Sequence, residues 1–188
     1  MTILSSGRSW AALSALSLLL VAEAARAESV ASALQQDFDG DGLADVFGAL
    51  ALPDGSFQWV FSPGGAKTFV NLAQGPALSG LRFGDFDGDG RTDVFATKPL
   101  PDGNAQWVFS SGGRQTFVNL AQGPALSELR FGDFDGDGLT DVFAAKPLPD
   151  GNAQWVYSAG GAATFVNLAQ GPALGSVRAG ETQGLAGF

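Results

Sequence analysis

The sequence contains neither cysteine nor histidine in its 188 residues. Without cysteine it has no disulfide framework and no cysteine for a lipid anchor, so its stability must come from packing or from bound metal. Without both residues, acid–base and nucleophilic catalysis lose their commonest side chains. Zinc and copper would have only carboxylates, which they favour less. We therefore predict that the protein is not an enzyme.

Basic residues are also few, since ten Lys and Arg stand against nineteen Asp and Glu, which gives a net charge of −9 at pH 7. No basic stripe is available to meet phosphates, which argues against nucleic acid as a partner. Twelve of the acidic residues lie in three short loops. The acidity is therefore local, unlike that of a disordered acidic tail.

The amino terminus is typical of an export signal. Arg8 precedes an uncharged apolar run, Trp10–Val21, and small residues frame a cleavage site at Ala25–Ala27. The run has 12 residues, fewer than the ~20 that span a membrane. We predict a signal peptide at 1–27 and a mature chain of 28–188 without a membrane span. The protein is then secreted, and is extracellular, periplasmic or on the cell surface.

One motif, Asp-Phe-Asp-Gly-Asp-Gly-x-x-Asp, occurs three times with starts 48 residues apart, at 37–45, 85–93 and 133–141. The segments 85–132 and 133–180 are identical at 38 of 48 positions. Such a period indicates a repeat architecture. The sequence predicts one repeat domain built from the units 37–84, 85–132 and 133–180, with a degenerate fourth start at 181–188.

Turn residues divide each unit into four short strands. In the second unit these are Leu81–Phe86, Asp93–Thr97, Ala105–Phe109 and Gln115–Leu120. The strands carry apolar residues on both faces, so neighbouring sheets must stack. We predict an all-β fold of three four-stranded antiparallel propeller-type blades, with a β-sandwich as the alternative. Three blades do not close a propeller, which predicts either a homo-oligomer or a piece of a longer propeller.

Each acidic loop fits a calcium site. Asp at loop positions 1, 3, 5 and 9 offers hard oxygens, and the residue at position 7 offers its backbone carbonyl. An EF-hand is excluded because its bidentate Glu at position 12 is replaced by Gly48, Ala96 and Ala144. The sequence predicts about three Ca²⁺ ions, one per loop. The predicted side-chain ligands are Asp37, Asp39, Asp41, Asp45, Asp85, Asp87, Asp89, Asp93, Asp133, Asp135, Asp137 and Asp141. The predicted carbonyl ligands are those of Leu43, Arg91 and Leu139.

These residues carry a family resemblance. Phe83-Gly84 followed by the loop 85–93 and by Val94-Phe95-Ala96 resembles the FG-GAP repeat, also described as a VCBS-type repeat. It is the blade unit of the integrin α-chain β-propeller and of many secreted bacterial proteins. The resemblance implies that the loop joins the first two strands of a blade and holds Ca²⁺. The first copy departs from the pattern, with Gln35-Gln36 in place of Phe-Gly.

One tryptophan recurs in each unit, at Trp59, Trp107 and Trp155. Its ring either stacks on a sugar or fills the gap between two sheets. The resemblance implies a recognition or adhesion module, lectin-like in one version, whose partner is a glycan or an extracellular protein. The alternative is a purely structural calcium-stabilised repeat, or a fragment of a larger propeller protein that is an appendage to an enzyme. Calcium either pins the turn or takes part in binding.

Overall fold

The computed structural model describes residues 36–173, where the chain forms eleven β-strands, five 3₁₀ turns and no α-helix. The first repeat contains β1 (Val46–Ala51), β2 (Phe57–Ser62) and β3 (Val70–Gly75). The second repeat, counted by its sheet from Arg82 and not from the predicted start at 85, contains β4 (Arg82–Gly84), β5 (Asp93–Pro99), β6 (Ala105–Ser110) and β7 (Val118–Gly123). The third repeat, counted likewise from Arg130 and not from 133, contains β8 (Arg130–Gly132), β9 (Asp141–Pro147), β10 (Ala153–Ser158) and β11 (Val166–Gly171). The predicted all-β class is confirmed. The predicted signal peptide and fourth repeat start lie outside the described residues.

The strands form three separate antiparallel sheets. β4 to β7 make one four-stranded sheet in chain order, β8 to β11 make a second, and β1 to β3 make a three-stranded sheet. In this last sheet Gln36 forms an isolated bridge to Asp45, at the position where Gly84 pairs with Asp93 in the sheet of β4 to β7. Four strands per unit are thus confirmed for the second and third repeats, whereas the first has three strands within residues 36–173.

Two kinds of turn connect the strands, and both depend on glycine. Between β5 and β6 the turn contains Gly103 at φ 87°, and the Asp102 carboxylate accepts the Asn104 N–H at 3.0 Å. After β6, Gly112 and Gly113 adopt φ of 54° and 63° within a 3₁₀ turn. Positive φ is readily reached only by glycine, so these turns are encoded locally.

Two predicted strand boundaries are wrong. β7 begins at Val118 and not at Gln115, because the chain first completes the 3₁₀ turn and its cap at Arg114. β7 also carries an extra residue opposite Trp107, where the pairing shifts register. β4 covers only Arg82–Gly84 and not Leu81–Phe86, because the acidic loop begins directly after Gly84.

The hydrophobic core lies in two seams between neighbouring sheets. The first seam joins the first and second sheets, and its buried residues include Phe47, Trp59, Phe61, Val94, Ala96 and Val108. The second seam joins the second and third sheets, and its buried residues include Phe95, Trp107, Phe109, Val142, Ala144 and Val156. Successive side chains of a strand point to opposite faces, so β5 and β6 contribute to both seams. The predicted stacking of apolar sheets is therefore observed, although within residues 36–173 the sheets do not close into a ring.

Trp107 shows how a seam is built. Its side chain is fully buried, and its indole N–H donates to the Pro124 carbonyl at 3.0 Å. The ring of Phe165, from the third repeat, meets it edge-on at a centroid distance of 5.7 Å. Trp59 repeats both contacts in the first seam, with Pro76 and Phe117. The first and second sheets are thus each covered by an aromatic ring of the next repeat.

Replacing Gly123 with Ala is expected to destabilise the fold by about 1–3 kcal/mol. A Cβ at this position would lie 2.4 Å from the Trp107 ring, and the buried ring has no room to move. The control is Gly171→Ala, where the Cβ would lie 2.3 Å from the ring of Trp155, which is half-buried and can yield. Urea unfolding followed by tryptophan fluorescence measures both losses. Equal stability of Gly123→Ala and the wild type would contradict the prediction.

Among residues 36–173 no helix is both long and apolar enough to cross a membrane.

Candidate metal centres

The three acidic loops occupy the same place in each repeat. The loop 85–93 runs from the end of β4 to the start of β5, and the loop 133–141 runs from β8 to β9. The loop 37–45 leads directly into β1. The last aspartate belongs to the second strand in the second and third repeats, and it directly precedes β1 in the first repeat. The position implied by the family resemblance, between the first two strands, is thus observed in the second and third repeats.

Each loop turns around its first aspartate. In the second loop the Asp85 carboxylate accepts the Gly88 N–H at 2.7 Å and the Gly90 N–H at 2.9 Å. Both glycines have a φ of 78°, which lets the backbone N–H groups turn inward without strain. Asp37 and Asp133 accept the equivalent hydrogen bonds from their own loop glycines. The Gly-x-Gly spacing therefore shapes a concave loop around a carboxylate.

The ninth aspartate fastens the loop to the rest of its sheet. Asp93 is fully buried, and its two oxygens accept the Phe86 N–H and the Gly112 N–H, each at 2.8 Å. One carboxylate thus joins the loop, the start of β5 and the 3₁₀ turn after β6. Asp45 and Asp141 repeat this arrangement. The sequence predicted these residues as metal ligands but did not reveal their role in holding the loop.

The loops bring carboxylates together in groups of three. Within each group the carboxylate oxygens lie within 4.8 Å of one another. The groups are Asp37, Asp39 and Asp41; Asp85, Asp87 and Asp93; and Asp133, Asp135 and Asp141. Nine of the twelve predicted side-chain ligands are thus brought together. Asp45, Asp89 and Asp137 lie in the same loops but outside these groups, and the ligand roles of the carbonyls of Leu43, Arg91 and Leu139 stay a prediction.

The three groups of carboxylates could hold a metal ion. Burial raises the pKa of Asp93 to about 7, against the lowering effect of its two backbone hydrogen bonds, and the nearby carboxylates of Asp87 and Asp85 raise it further. Burial likewise raises the pKa of Asp45 and Asp141. A divalent cation favours the ionised carboxylates and relieves this cost. The donors are all oxygens, so the loops fit a hard cation.

The comparison with protein families agrees with this geometry. A family model described as FG-GAP-like repeat matches the chain twice, over residues 37–96 and 85–144. The chain belongs to the FG-GAP-like repeat family. No curated protein and no solved structure matches the chain at a significant level. Each match of the family model runs from one acidic loop through the next loop and ends within the strand that follows it, so it includes the connection between two repeats.

In metal-free buffer, the free energy of unfolding is expected to fall as the pH rises from about 4 to about 7. The Asp93 pKa is about 7 in the folded protein, above its ordinary value of 3.8, so the folded chain keeps a proton that the unfolded chain releases. This stabilisation is complete below the ordinary pKa and is lost as the pH passes the raised one. Urea unfolding across this range measures it, and Asp93→Asn should flatten the profile. A wild-type profile that rises with pH would contradict the prediction.

Two tryptophans of these FG-GAP-like repeats, Trp59 and Trp107, are packing residues at the two seams. Trp59 and Trp107 have no exposed surface, so their rings are not accessible for stacking on a sugar. The packing alternative therefore fits both. Trp155 is half-buried, and its indole N–H donates to the Pro172 carbonyl at 3.1 Å, as in the other repeats.

Two equivalent shallow grooves lie over the seams, and sequence reasoning missed them. The first groove is lined by Gln74, Lys98, Thr116 and Phe117, among others. The second groove is lined by Gln122, Lys146, Thr164 and Phe165, which are the same residues one repeat later. Their volumes are about 480 and 430 Å³. The signal in the sequence was the recurrence of Lys and Phe at the 48-residue period.

Each groove places a cation over an aromatic ring. Lys146 Nζ lies 4.5 Å from the centroid of the Phe165 ring, and Lys98 Nζ lies 5.7 Å from that of Phe117. Such contacts hold an ammonium group against a ring face by electrostatic attraction. Both grooves therefore combine a positive charge, polar groups and an aromatic edge.

Proposed function

We propose that this chain is a calcium-binding FG-GAP-like repeat module with one Ca²⁺ ion in each acidic loop. The observation that carries the proposal is the threefold grouping of carboxylate oxygens within 4.8 Å. Ca²⁺ takes 6–8 oxygen ligands at about 2.3–2.6 Å and tolerates irregular geometry, whereas Mg²⁺ demands a tighter octahedron. When bound, the ion supplies positive charge that neutralises the loop.

The chain's own residues divide the work in each loop. In the second loop Asp85, Asp87 and Asp89 present carboxylates, Arg91 presents its carbonyl, and Asp93 closes the site. Asp85 and Asp93 are already held by backbone N–H groups. A carboxylate oxygen has lone pairs for both a hydrogen bond and a cation, so these contacts orient the ligands without using up their capacity.

Calorimetric titration with CaCl₂ tests this proposal. We expect about three ions per chain and weaker binding of Mg²⁺, as the donor set requires. A triple loop variant, with Asp39→Asn, Asp87→Asn and Asp135→Asn, removes one charge per loop. It keeps the fold because each of these carboxylates accepts one backbone hydrogen bond, at 3.2–3.3 Å, that an amide oxygen also accepts. Unchanged calcium binding in this variant would contradict the assignment.

The module's biological role is proposed to be recognition or adhesion outside the cell, without catalysis. The two grooves support this role because they offer a lysine, amide and hydroxyl groups, and an aromatic ring to a glycan or a protein loop. An exported protein is consistent with the predicted signal peptide. The other candidate is a purely structural repeat, which is favoured by the shallowness of the grooves and the burial of Trp59 and Trp107.

A glycan array with and without chelator separates the two roles. A recognition module should bind a subset of glycans, and binding should weaken when Lys98→Gln and Lys146→Gln are introduced together. Lys67→Gln is the matched control, because Lys67 is exposed and lines neither groove. Absence of binding to glycans and to extracellular proteins would favour the structural role.

Association of chains into a homo-oligomer is proposed as the way in which three sheets complete a propeller. Phe134 and Trp155 of the third repeat are half-buried, whereas their equivalents Phe86 and Trp107 are buried by the next repeat. A second copy would cover this apolar face. Sedimentation in the presence of Ca²⁺ tests the idea, and a compact monomer would contradict it.

A further inference from the structure

Backbone hydrogen bonds tie each acidic loop to the next one. The Thr92 N–H donates to the Asp37 carbonyl at 2.7 Å, and the Asp37 N–H donates to the Thr92 hydroxyl at 2.9 Å. Thr140 makes the same pair of contacts with Asp85, at 2.6 and 3.0 Å. In both cases the eighth residue of one loop holds the first aspartate of the preceding loop through its backbone N–H and its backbone carbonyl.

These contacts continue through all three loops. Thr92 is followed in the chain by Asp93, whose carboxylate accepts the Phe86 N–H. Phe86 directly follows Asp85, which is held by Thr140 of the third loop. The path therefore alternates between a contact across a seam and a contact within a loop. The hydrogen bonds of this path are 2.6–3.0 Å long, and covalent bonds between adjacent residues connect them. Thr92 is only 8 % exposed, so water competes weakly for its hydrogen bonds.

The sequence around these contacts matches the role. The first loop has Ala44 at the eighth position, and within the described residues no loop precedes it. A Cβ on Gly84, the residue before Asp85, would lie 2.4 Å from the Thr140 hydroxyl oxygen. The glycine thus leaves room for the threonine of the next repeat.

We propose that Thr92 and Thr140 are positioning residues that set the first metal ligand of the preceding loop, so that ion binding in neighbouring loops is coupled. The coupling rests on the proposed calcium binding. The hydrogen bonds between each threonine and the first aspartate of the preceding loop, which we call the clamp, do not depend on calcium. Rotation of the Asp37 peptide moves its carboxylate away from the loop glycines that orient it. Loss of the threonine hydroxyl therefore lowers the metal affinity of the preceding loop, although the threonine belongs to the next repeat.

The test uses the full mature chain and the amide signals of the loop glycines in ¹H–¹⁵N spectra. Each loop has its own glycine pair, so a CaCl₂ titration reports three affinities separately. In Thr92→Val we expect the affinity of the first loop to fall about 3- to 10-fold, the range for one lost hydrogen bond. The third loop should keep its affinity. Thr140→Val should lower the calcium affinity of the second loop. The affinity of the first loop should change less than that of the second.

Three controls make the outcome decisive. Thr92→Ser keeps the hydroxyl and should restore the first loop, whereas Thr68→Val removes an exposed threonine that lines neither groove and should change no loop. The indole N–H signals report whether a variant is folded. In metal-free buffer, exchange of the Asp37 amide should accelerate in Thr92→Val, because its acceptor is lost.

Each outcome bears on a separate claim. Unchanged first-loop affinity in folded Thr92→Val would overturn the positioning role, even if the Asp37 amide exchanges faster. Equal weakening of all three loops would indicate a general loss of stability and would also overturn it. If the wild-type loops bind no Ca²⁺, the calcium assignment and the coupling both fail, and Asp37 amide exchange alone decides whether the clamp exists.

Discussion

Removing calcium is expected to lower the unfolding temperature by about 5–10 °C for each loop that loses its ion. An ion at about 100 times its dissociation constant stabilises a folded protein by about 2.7 kcal/mol. Calcium sites of extracellular modules bind at about 10⁻⁴–10⁻³ M, so about 10–100 mM calcium is needed for the full effect. Without the ion, we expect the four carboxylates within nine residues to repel one another and the loop to open.

Calorimetric melting in CaCl₂, in chelator, and after calcium is restored measures this effect. The triple loop variant is the matched control, and its melting temperature should respond little to calcium. MgCl₂ should restore only a small part of the lost stability, because its octahedral requirement fits the loop poorly. The same unfolding temperature in excess chelator and in excess calcium would refute the metal assignment.

Replacing Asp93 with Ala is expected to destabilise the protein by about 2–6 kcal/mol, even without metal. The carboxylate accepts two backbone N–H groups, from Phe86 and Gly112, in a site with no exposed surface. Alanine leaves both donors buried without an acceptor, and each such group costs about 1–3 kcal/mol. Urea unfolding in metal-free buffer measures this loss without any contribution from ligation.

Asp102→Ala provides the control for Asp93→Ala. Asp102 is exposed in the turn between β5 and β6 and accepts the Asn104 N–H at 3.0 Å. Removing an exposed acceptor should cost less than about 1 kcal/mol, since water replaces it. If the two variants lose similar amounts of stability, the fastening role of the ninth aspartate is wrong.

The predictable part of this protein is local in sequence. The loop 85–93 was recognisable because its Asp and Gly spacing encodes a tight turn lined with oxygens. The turns at Gly103 and at Gly112-Gly113 were recognisable because positive φ selects glycine. Apolar residues on both faces of β5 and β6 indicated stacked sheets. These features need no knowledge of distant residues.

The errors and omissions involve contacts across sheets. β7 begins later than its apolar pattern indicated, because the 3₁₀ turn and the extra residue opposite Trp107 displace it. The apolar pattern of β6 also left the environment of Trp107 open, since a ring at the centre of a strand can stack on a sugar or pack in a seam. The role of Thr92 was not predictable, because it is a single uncharged polar residue among seven charged or glycine residues of its loop.

By itself the sequence determined the repeating unit, the β class and the place of the acidic loops, because strand period, glycine turns and carboxylate spacing act over a few residues. Tertiary structure decided which aspartate is buried, where the tryptophan rings lie and which residue holds the neighbouring loop. Those outcomes depend on pairs far apart in the chain, as with Asp37 and Thr92, 55 residues apart. Such pairs meet only when the sheets have stacked.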